Sequence, residues 1–291
     1  KPFLPEIIHK LESCNELSLP EETKRLLLGM SRSTIDRCLK RARSITAQHG
    51  ISTTKPGSLL KQAIPIRTFT PWNEEQPGFL EIDLVAHCGM TTEGSYLNTL
   101  TATDIATGWT ECLALPQKTQ AAVSQAVVEL QKLLPFPLRG LDSDNGSEFI
   151  NDTLWRYCQT EQITFTRSRP YQKNDQAHVE QKNWSVVRHT IGYDRLDSPE
   201  ELALLREIYT ALRLYINFFQ PVLKLVGKER IDGKTIREYD LAQTPYRRVL
   251  ADVSIPVEVK TRLVAQYVLL NPVTLRYQID ALVDRLWRIT R

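Results

Sequence analysis

Between Phe79 and Gly192 the sequence prescribes a fixed order of elements: three strands, a helix, a strand, a helix, a strand and a helix. Phe79 to Ala86, Tyr96 to Thr103 and Trp109 to Leu115 are short runs rich in apolar and β-branched residues, with Asp104-Ile105-Ala106-Thr107-Gly108 turning between the last two. Thr119 is placed to cap a helix to about Leu134, and Pro135 and Pro137 prevent its continuation into the strand Leu138 to Ser143. Asn151 to Thr160 reads as helix and Ile163 to Thr166 as a fifth strand. Asp175 is a cap for a long helix from Gln176 to about Gly192. A meander followed by alternating helices and strands predicts a mixed five-stranded sheet with flanking helices. At 291 residues and 42% hydrophobic, the chain can bury a core and still carry appendages.

Three carboxylates fall at telling places on these elements. Asp83 sits in the middle of the first strand, in Glu81-Ile82-Asp83-Leu84-Val85, where a carboxylate is costly unless a cation or a hydrogen-bond donor meets it. Asp144 follows the fourth strand in Asp142-Ser143-Asp144-Asn145-Gly146-Ser147-Glu148-Phe149, held at a sharp Asn-Gly turn. Glu180 lies about one turn into the last helix, with Asn183, Trp184 and Val187 on the same side. Gathered at the strand ends, the three would repel one another without a counter-ion. Mg²⁺, with Mn²⁺ able to substitute, prefers such oxygen donors. Two ions about 3.5–4 Å apart suit an in-line phosphoryl transfer, with Asp83 bridging and Asp144 and Glu180 each binding one. Asp142 is the nearest competitor to Asp144. Asp104, Glu148 and Asp175 read as turn or cap residues, and Trp184 as core.

The N-terminal part has a different character. Pro20-Glu21-Glu22 opens a helix to Leu28, Gly29-Met30-Ser31 turns the chain, and Ser31 caps a second helix with Ile35 and Leu39 facing inward. This is a helix-turn-helix pattern in which Arg32, Ser33, Thr34 and Arg37 face a DNA groove and Lys40, Arg41 and Arg43 meet phosphate. Residues 31 to 67 hold eight Lys or Arg against the single Asp36, a local charge of +7 in a chain of net +3, so the rest carries −4. Lys55, Lys61 and Arg67 stud the Gly, Ser, Thr and Pro-rich stretch that follows, read as a linker lying on DNA. Near Glu180, Arg167, Arg169 and Lys173 form a basic loop, and Lys182 and Arg188 project from the helix as phosphate clamps.

The chain resembles the integrase-like DDE transposases of bacterial insertion sequences, relatives of retroviral integrases in their catalytic core. The resemblance rests on Ile82-Asp83-Leu84, Thr103-Asp104 with Thr107-Gly108-Trp109, Ser143-Asp144-Asn145-Gly146, and Arg169-Pro170-Tyr171 through Glu180-Gln181-Lys182-Asn183. In addition, 60 residues lie between Asp83 and Asp144 and 35 between Asp144 and Glu180. It implies a ribonuclease H-like core, cleavage exposing a 3′ hydroxyl at a transposon end, and attack of that hydroxyl on target DNA. It also implies a homo-oligomer, dimer or tetramer, that pairs double-stranded transposon ends, working on DNA in a bacterial cytoplasm. The competing readings are a metal-dependent endonuclease that does not join strands and a non-catalytic DNA-binding derivative. The retroviral His2Cys2 zinc module is missing, and the helix-turn-helix takes its place.

Domain limits follow: 1–46 helix-turn-helix, 47–76 basic linker, 77–220 catalytic core, and 221–291 a C-terminal DNA-binding or oligomerisation region. In this last region Val257 to Leu270 suggests short strands, and Asn271-Pro272 opens a helix from about Val273 to Ile289. Cys14, Cys38, Cys88, Cys112 and Cys158 are too scattered for a disulfide framework or zinc and read as buried thiols. His87 and Cys88 lack a partner pair for a soft metal. Lys1-Pro2-Phe3-Leu4-Pro5 has no secretory-signal pattern, and the missing initiator Met puts the true N-terminus upstream.

Overall fold

In the computed structural model, described for residues 1–40, 64, 75–169, 176–231 and 234–290, the central sheet is built as the order of elements requires. Strands β1 (Phe79–Ala86), β2 (Asn98–Asp104) and β3 (Thr110–Leu115) form the antiparallel meander, and β4 (Gly140–Ser143) and β5 (Thr164–Arg167) add in parallel on the other side of β1, giving the order β3-β2-β1-β4-β5. This is the mixed five-stranded sheet expected of a ribonuclease H-like core. It places β1 at the centre, where it pairs with β2 and β4.

Both sheet faces are covered, so the strands read as nearly continuous buried runs. One face carries Leu80, Ile82, Leu100 and Leu113 against α4 (Gln120–Leu133) and α5 (Asp152–Thr160), through Val123, Val127, Leu130 and Leu154. Thr119 and Asn151 cap these two helices by accepting from Ala122 N and Leu154 N. The other face carries Val85, Leu97, Cys112 and Ala114. It packs under a helical stretch made of α6 (Ala177–Lys182), a π-helical segment (Asn183–Arg188) and α7 (His189–Ile191), and under α8 (Pro199–Phe219) and α11 (Pro272–Thr290). Ser198 and Glu201 form a reciprocal capping box at the start of α8. Ser198→Ala is expected to cost about 1 kcal/mol, read by chemical denaturation.

Gly78, just before β1, accepts from Arg139 N and Gly140 N at the start of β4. Its φ is +114°, and a Cβ there would lie 2.4 Å from the Pro137 carbonyl oxygen, so only glycine lets the two strands meet at this point.

The ends of the chain differ most from the sequence reading. A helix α1 (Leu4–Ser13) precedes α2 (Glu21–Gly29) and α3 (Arg32–Leu39), and Ser31 does cap α3 by accepting from Thr34 N. Leu39 is 40% exposed, not turned inward, and α3 has no buried residue. Residues expected as strands form α10 (Val257–Leu269), which follows α9 (Pro245–Ala251). The alternation at Val257-Glu258-Val259 misleads. Val259, Leu263 and Tyr267, spaced by four, are the positions that pack on the core, and they make a helical stripe. The polar stretch after α8 forms a hairpin, β6 (Leu225–Ile231) and β7 (Lys234–Tyr239).

Tyr267 stacks on Tyr246 at 4.9 Å between ring centroids, and both lie against Phe218. Lys10 donates to the Tyr267 and Val268 carbonyls, so α1 caps the C-terminal end of α10 although the two are more than 250 positions apart. Of the cysteines, Cys88, Cys112 and Cys158 are buried, but Cys38 is exposed and Cys14 only partly covered. Among the described residues no helix is long and apolar enough to cross a membrane.

Candidate active site

Parallel pairing of β1 with β4 brings the first two carboxylates together. The register Glu81↔Asp142 and Ile82↔Ser143 makes Asp144, one residue past β4, the neighbour of Asp83. Asp83 Oδ1 accepts from Leu84 N at 2.8 Å, and Oδ2 accepts from Asn183 Nδ2 at 2.7 Å. Asp144 Oδ1 accepts from Gly146 N at 2.8 Å. A Cβ on Gly146 would stand 2.8 Å from that same Asp144 oxygen and 2.6 Å from Glu148 Oε1, so the glycine leaves the carboxylate its place. Glu180 is exposed on α6. Removal from water pushes the Asp83 carboxyl up to about 7; the charge of Asp144 adds to this and that of Glu180 adds less, while the Leu84 and Asn183 donors pull it down. Asp83 still keeps partial exposure on its open side, a path by which a cation can reach it.

Among the described residues no group of three or more His, Cys, Asp or Glu is placed to hold a metal ion. The donor chemistry nonetheless suits one. Asp83, Asp144 and Glu180 offer only carboxylate oxygens, and beyond burial, which raises the Asp83 carboxyl most, the charges of Asp144 and Glu180 add a repulsion that a hard cation relieves.

Asp142 has a structural place: it is fully buried and accepts from Thr166 Oγ1 at 2.7 Å, and its carbonyl accepts from Gln176 Nε2. Asp104 closes its turn, accepting from Gly78 N, Thr107 N and Thr107 Oγ1. Glu148 is buried and paired with Lys118 at 2.7 Å. His87 is fully buried and bonded to Thr99 Oγ1.

Two features escaped the sequence reading. Glu81, two residues before Asp83 and on the same strand face, accepts through Oε2 from His178 N at 2.9 Å and Val179 N at 3.0 Å. It thus satisfies the first turn of α6, whose own N-cap, Gln176, supplies no side-chain bond. The period-two spacing of Glu81 and Asp83 was the available signal. Glu81→Ala is expected to cost about 2 kcal/mol by leaving these amides unpaired. It should also speed hydrogen exchange at Val179, while Glu81→Gln, which keeps an acceptor, restores protection.

The second is the π-helical segment from Asn183. Across α6 and this segment the buried stripe is Val179, Lys182, Val186 and Val187, and Trp184 is 64% exposed, so Trp184 is not core. Nor do the two cations of this helix project from it. Lys182 is buried, with its pKa lowered to about 8 by burial, and Arg188 turns back to the Ala86 and Gly192 carbonyls.

Of the other basic positions, Arg32, Ser33, Arg37 and Lys40 are exposed on or just after α3, with Thr34 partly so. Arg167 donates to Ile64 O and to Asn145 Oδ1 beside Asp144. Arg41, Arg43, Lys55, Lys61, Arg67, Lys173 and the expected cap Asp175 lie outside the described residues.

Residues 73–173 match the integrase core domain family, a span that includes Asp83 and Asp144 and ends before Glu180. Over 248 residues, 85% of this chain and 71% of the relative, the sequence is 40% identical to the uncharacterized protein y4rM of Sinorhizobium fredii (strain NBRC 101917 / NGR234). The chain belongs to the y4rM family. Among solved structures, the catalytic core domain of BIV integrase is 17% identical and aligns with a TM-score of 0.37 over 58% of this chain and 91% of that one. The integrase core match ties this y4rM-family member remotely to the integrase superfamily.

Proposed function

We propose that this y4rM-family protein is a DNA transposase that cleaves the 3′ ends of a mobile element and joins them to target DNA. What supports this reading is that the charges of Asp144 and Glu180 both act on Asp83, and that Asp83 and Asp144 lie in the span matching the integrase core. These three side chains would hold divalent cations, Mg²⁺ or Mn²⁺, two per site. Bound there, the cations would activate the attacking oxygen and stabilise the leaving 3′ oxygen. The chain's own groups orient the carboxylates: Asn183 Nδ2 fixes Asp83, the Gly146 amide fixes Asp144, and Glu81 anchors the turn that carries Glu180. In joining, the freed 3′ hydroxyl attacks a target phosphodiester and expels a target 3′ oxygen, and no bond to the protein forms. The exposed face of α3, through Arg32, Ser33, Thr34 and Arg37, reads the element's end, and two or more copies pair the ends.

The test is Mg²⁺-dependent processing and joining of labelled end duplexes by the wild-type chain and by Glu180→Gln. Loss of about a hundredfold or more in both steps with end binding retained is the expected result. Unchanged rates in the variant would remove Glu180 from the site, and hydrolysis without joined product in a paired complex would make the protein an endonuclease.

A further inference from the structure

We propose that a phosphate-binding site lies behind the candidate active site, in the cleft bounded by the β2–β3 turn, α6 and the segment joining α8 to β6. Among the described residues four basic side chains line this cleft, His178, Lys182, Lys224 and Arg248, and no Asp or Glu does. They come from three separate stretches of chain, so the convergence belongs to the tertiary fold.

Their hydrogen-bonding is incomplete in a way that points to an anion. Lys182 is 8% exposed and has no hydrogen-bond or ion-pair partner among the described residues. An ammonium removed from water with no acceptor is costly, and an oxyanion in the cleft would supply one. Arg248 spends its Nη groups on Asp240 and the Val222 carbonyl, while its Nε is buried without a hydrogen-bond partner among the described residues. Lys224 Nζ donates to the Ala106 carbonyl at a long 3.4 Å, and the carboxylates of Asp104 and Asp240 act on it through charge without a hydrogen bond among the described residues. Asp104, the acid nearest the turn, is already engaged by Gly78 and Thr107. The cleft has a volume of about 40 Å³, room for roughly three water molecules or one tetrahedral oxyanion.

The ligand chemistry is a phosphate group, either a free oxyanion or a phosphodiester of bound DNA; the second source rests on the transposase reading, and the first does not. The test is calorimetric titration of the full chain with inorganic phosphate at constant ionic strength, which needs no catalysis. Saturable binding is expected, weakened about tenfold or more in Lys182→Met and in Lys224→Ala. Lys224 is only partly buried, so its variant serves if Lys182→Met folds poorly. Asp83→Asn is expected to bind phosphate as the wild type does, so that failure of the cation site and failure of this site come apart. Displacement of phosphate by a short DNA duplex assigns the site to a backbone phosphate, and phosphate retained beside bound duplex assigns it to a free oxyanion. Absence of phosphate binding by the wild type, or equal binding by wild type and both cleft variants, overturns the proposal.

Discussion

Replacing Asp83 by Asn is expected to abolish strand cleavage and joining, by about a thousandfold or more, while making the metal-free protein harder to unfold. Both effects have one cause. Burial and the charges of Asp144 and Glu180 hold the Asp83 carboxyl up at about 7, so at pH 8 its ionised form is a net cost to the folded chain when no cation is present. Asparagine removes that charge and keeps the shape. Its oxygen can still accept from Leu84 N, and once the Asn183 amide flips, its NH2 can donate to Asn183 Oδ1, a buried atom without a hydrogen-bond partner among the described residues. A rise in Tm of a few degrees at pH 8 without metal, together with lost activity, is the expected pair of results. A fall in Tm would mean that Asp83 is held by favourable contacts that outweigh the repulsion.

The second large effect concerns acid. Burial, with a smaller contribution from Arg188, pushes the His87 pKa down to about 3, against 6.5 for a free imidazole. Below pH 6.5 the unfolded chain takes up a proton at this residue that the folded chain refuses until about pH 3, so stability falls as pH falls through that window. Between pH 7 and 4 the loss from His87 is on the order of 3 kcal/mol. Asp104, raised to about 6 by burial, works the other way: the folded chain holds its proton more tightly, so this residue adds stability as pH falls from 6 toward 4. Comparing wild type with His87→Gln by urea denaturation at pH 7 and pH 4 isolates the histidine, because Asp104 is common to both. The variant is expected to lose about 3 kcal/mol less than the wild type over that interval. Equal losses would show that His87 is hydrated or protonated in the folded state.

His87 also shows what a sequence conveys poorly. Nothing local marks it as fully buried, bonded to Thr99 and through it to Tyr209, which lies 110 positions beyond Thr99. By contrast, the elements bearing the candidate site were readable from neighbours. β1 spans Phe79–Ala86 as expected, and Ser31, Thr119 and Asn151 cap the helices they precede. Pro135 and Pro137 end α4, and the Asn-Gly turn follows Asp144 at the end of β4. Caps, proline blocks, tight turns and strand alternation act over a few residues, so their causes stand side by side in the chain.

The interior of the Glu180 helix followed no such rule. An α-helical spacing put Trp184 in the core and sent Lys182 outward. The structure reversed both: Lys182 shares the buried stripe of Val179 and Val186, and Trp184 shares the exposed side of Glu180, four positions before it. Likewise Val257-Glu258-Val259 alternates like a strand, yet packing of Val259, Leu263 and Tyr267 on the core makes it helix, and α1 found its place only through the carbonyls at the end of α10.

Between Phe79 and Gly192 the sequence by itself therefore determined the order of strands and helices, the mixed sheet, and which elements carry Asp83, Asp144 and Glu180, since each follows from short-range sterics, capping and burial periodicity. The tertiary structure alone decided how those side chains are held. Glu81 grips α6 across 97 positions, Asn183 reaches Asp83 across 100, and Lys182, Lys224 and Arg248 meet around one cleft. Hydrogen bonds and charges act through space within a few ångströms, and only folding brings such distant positions that close.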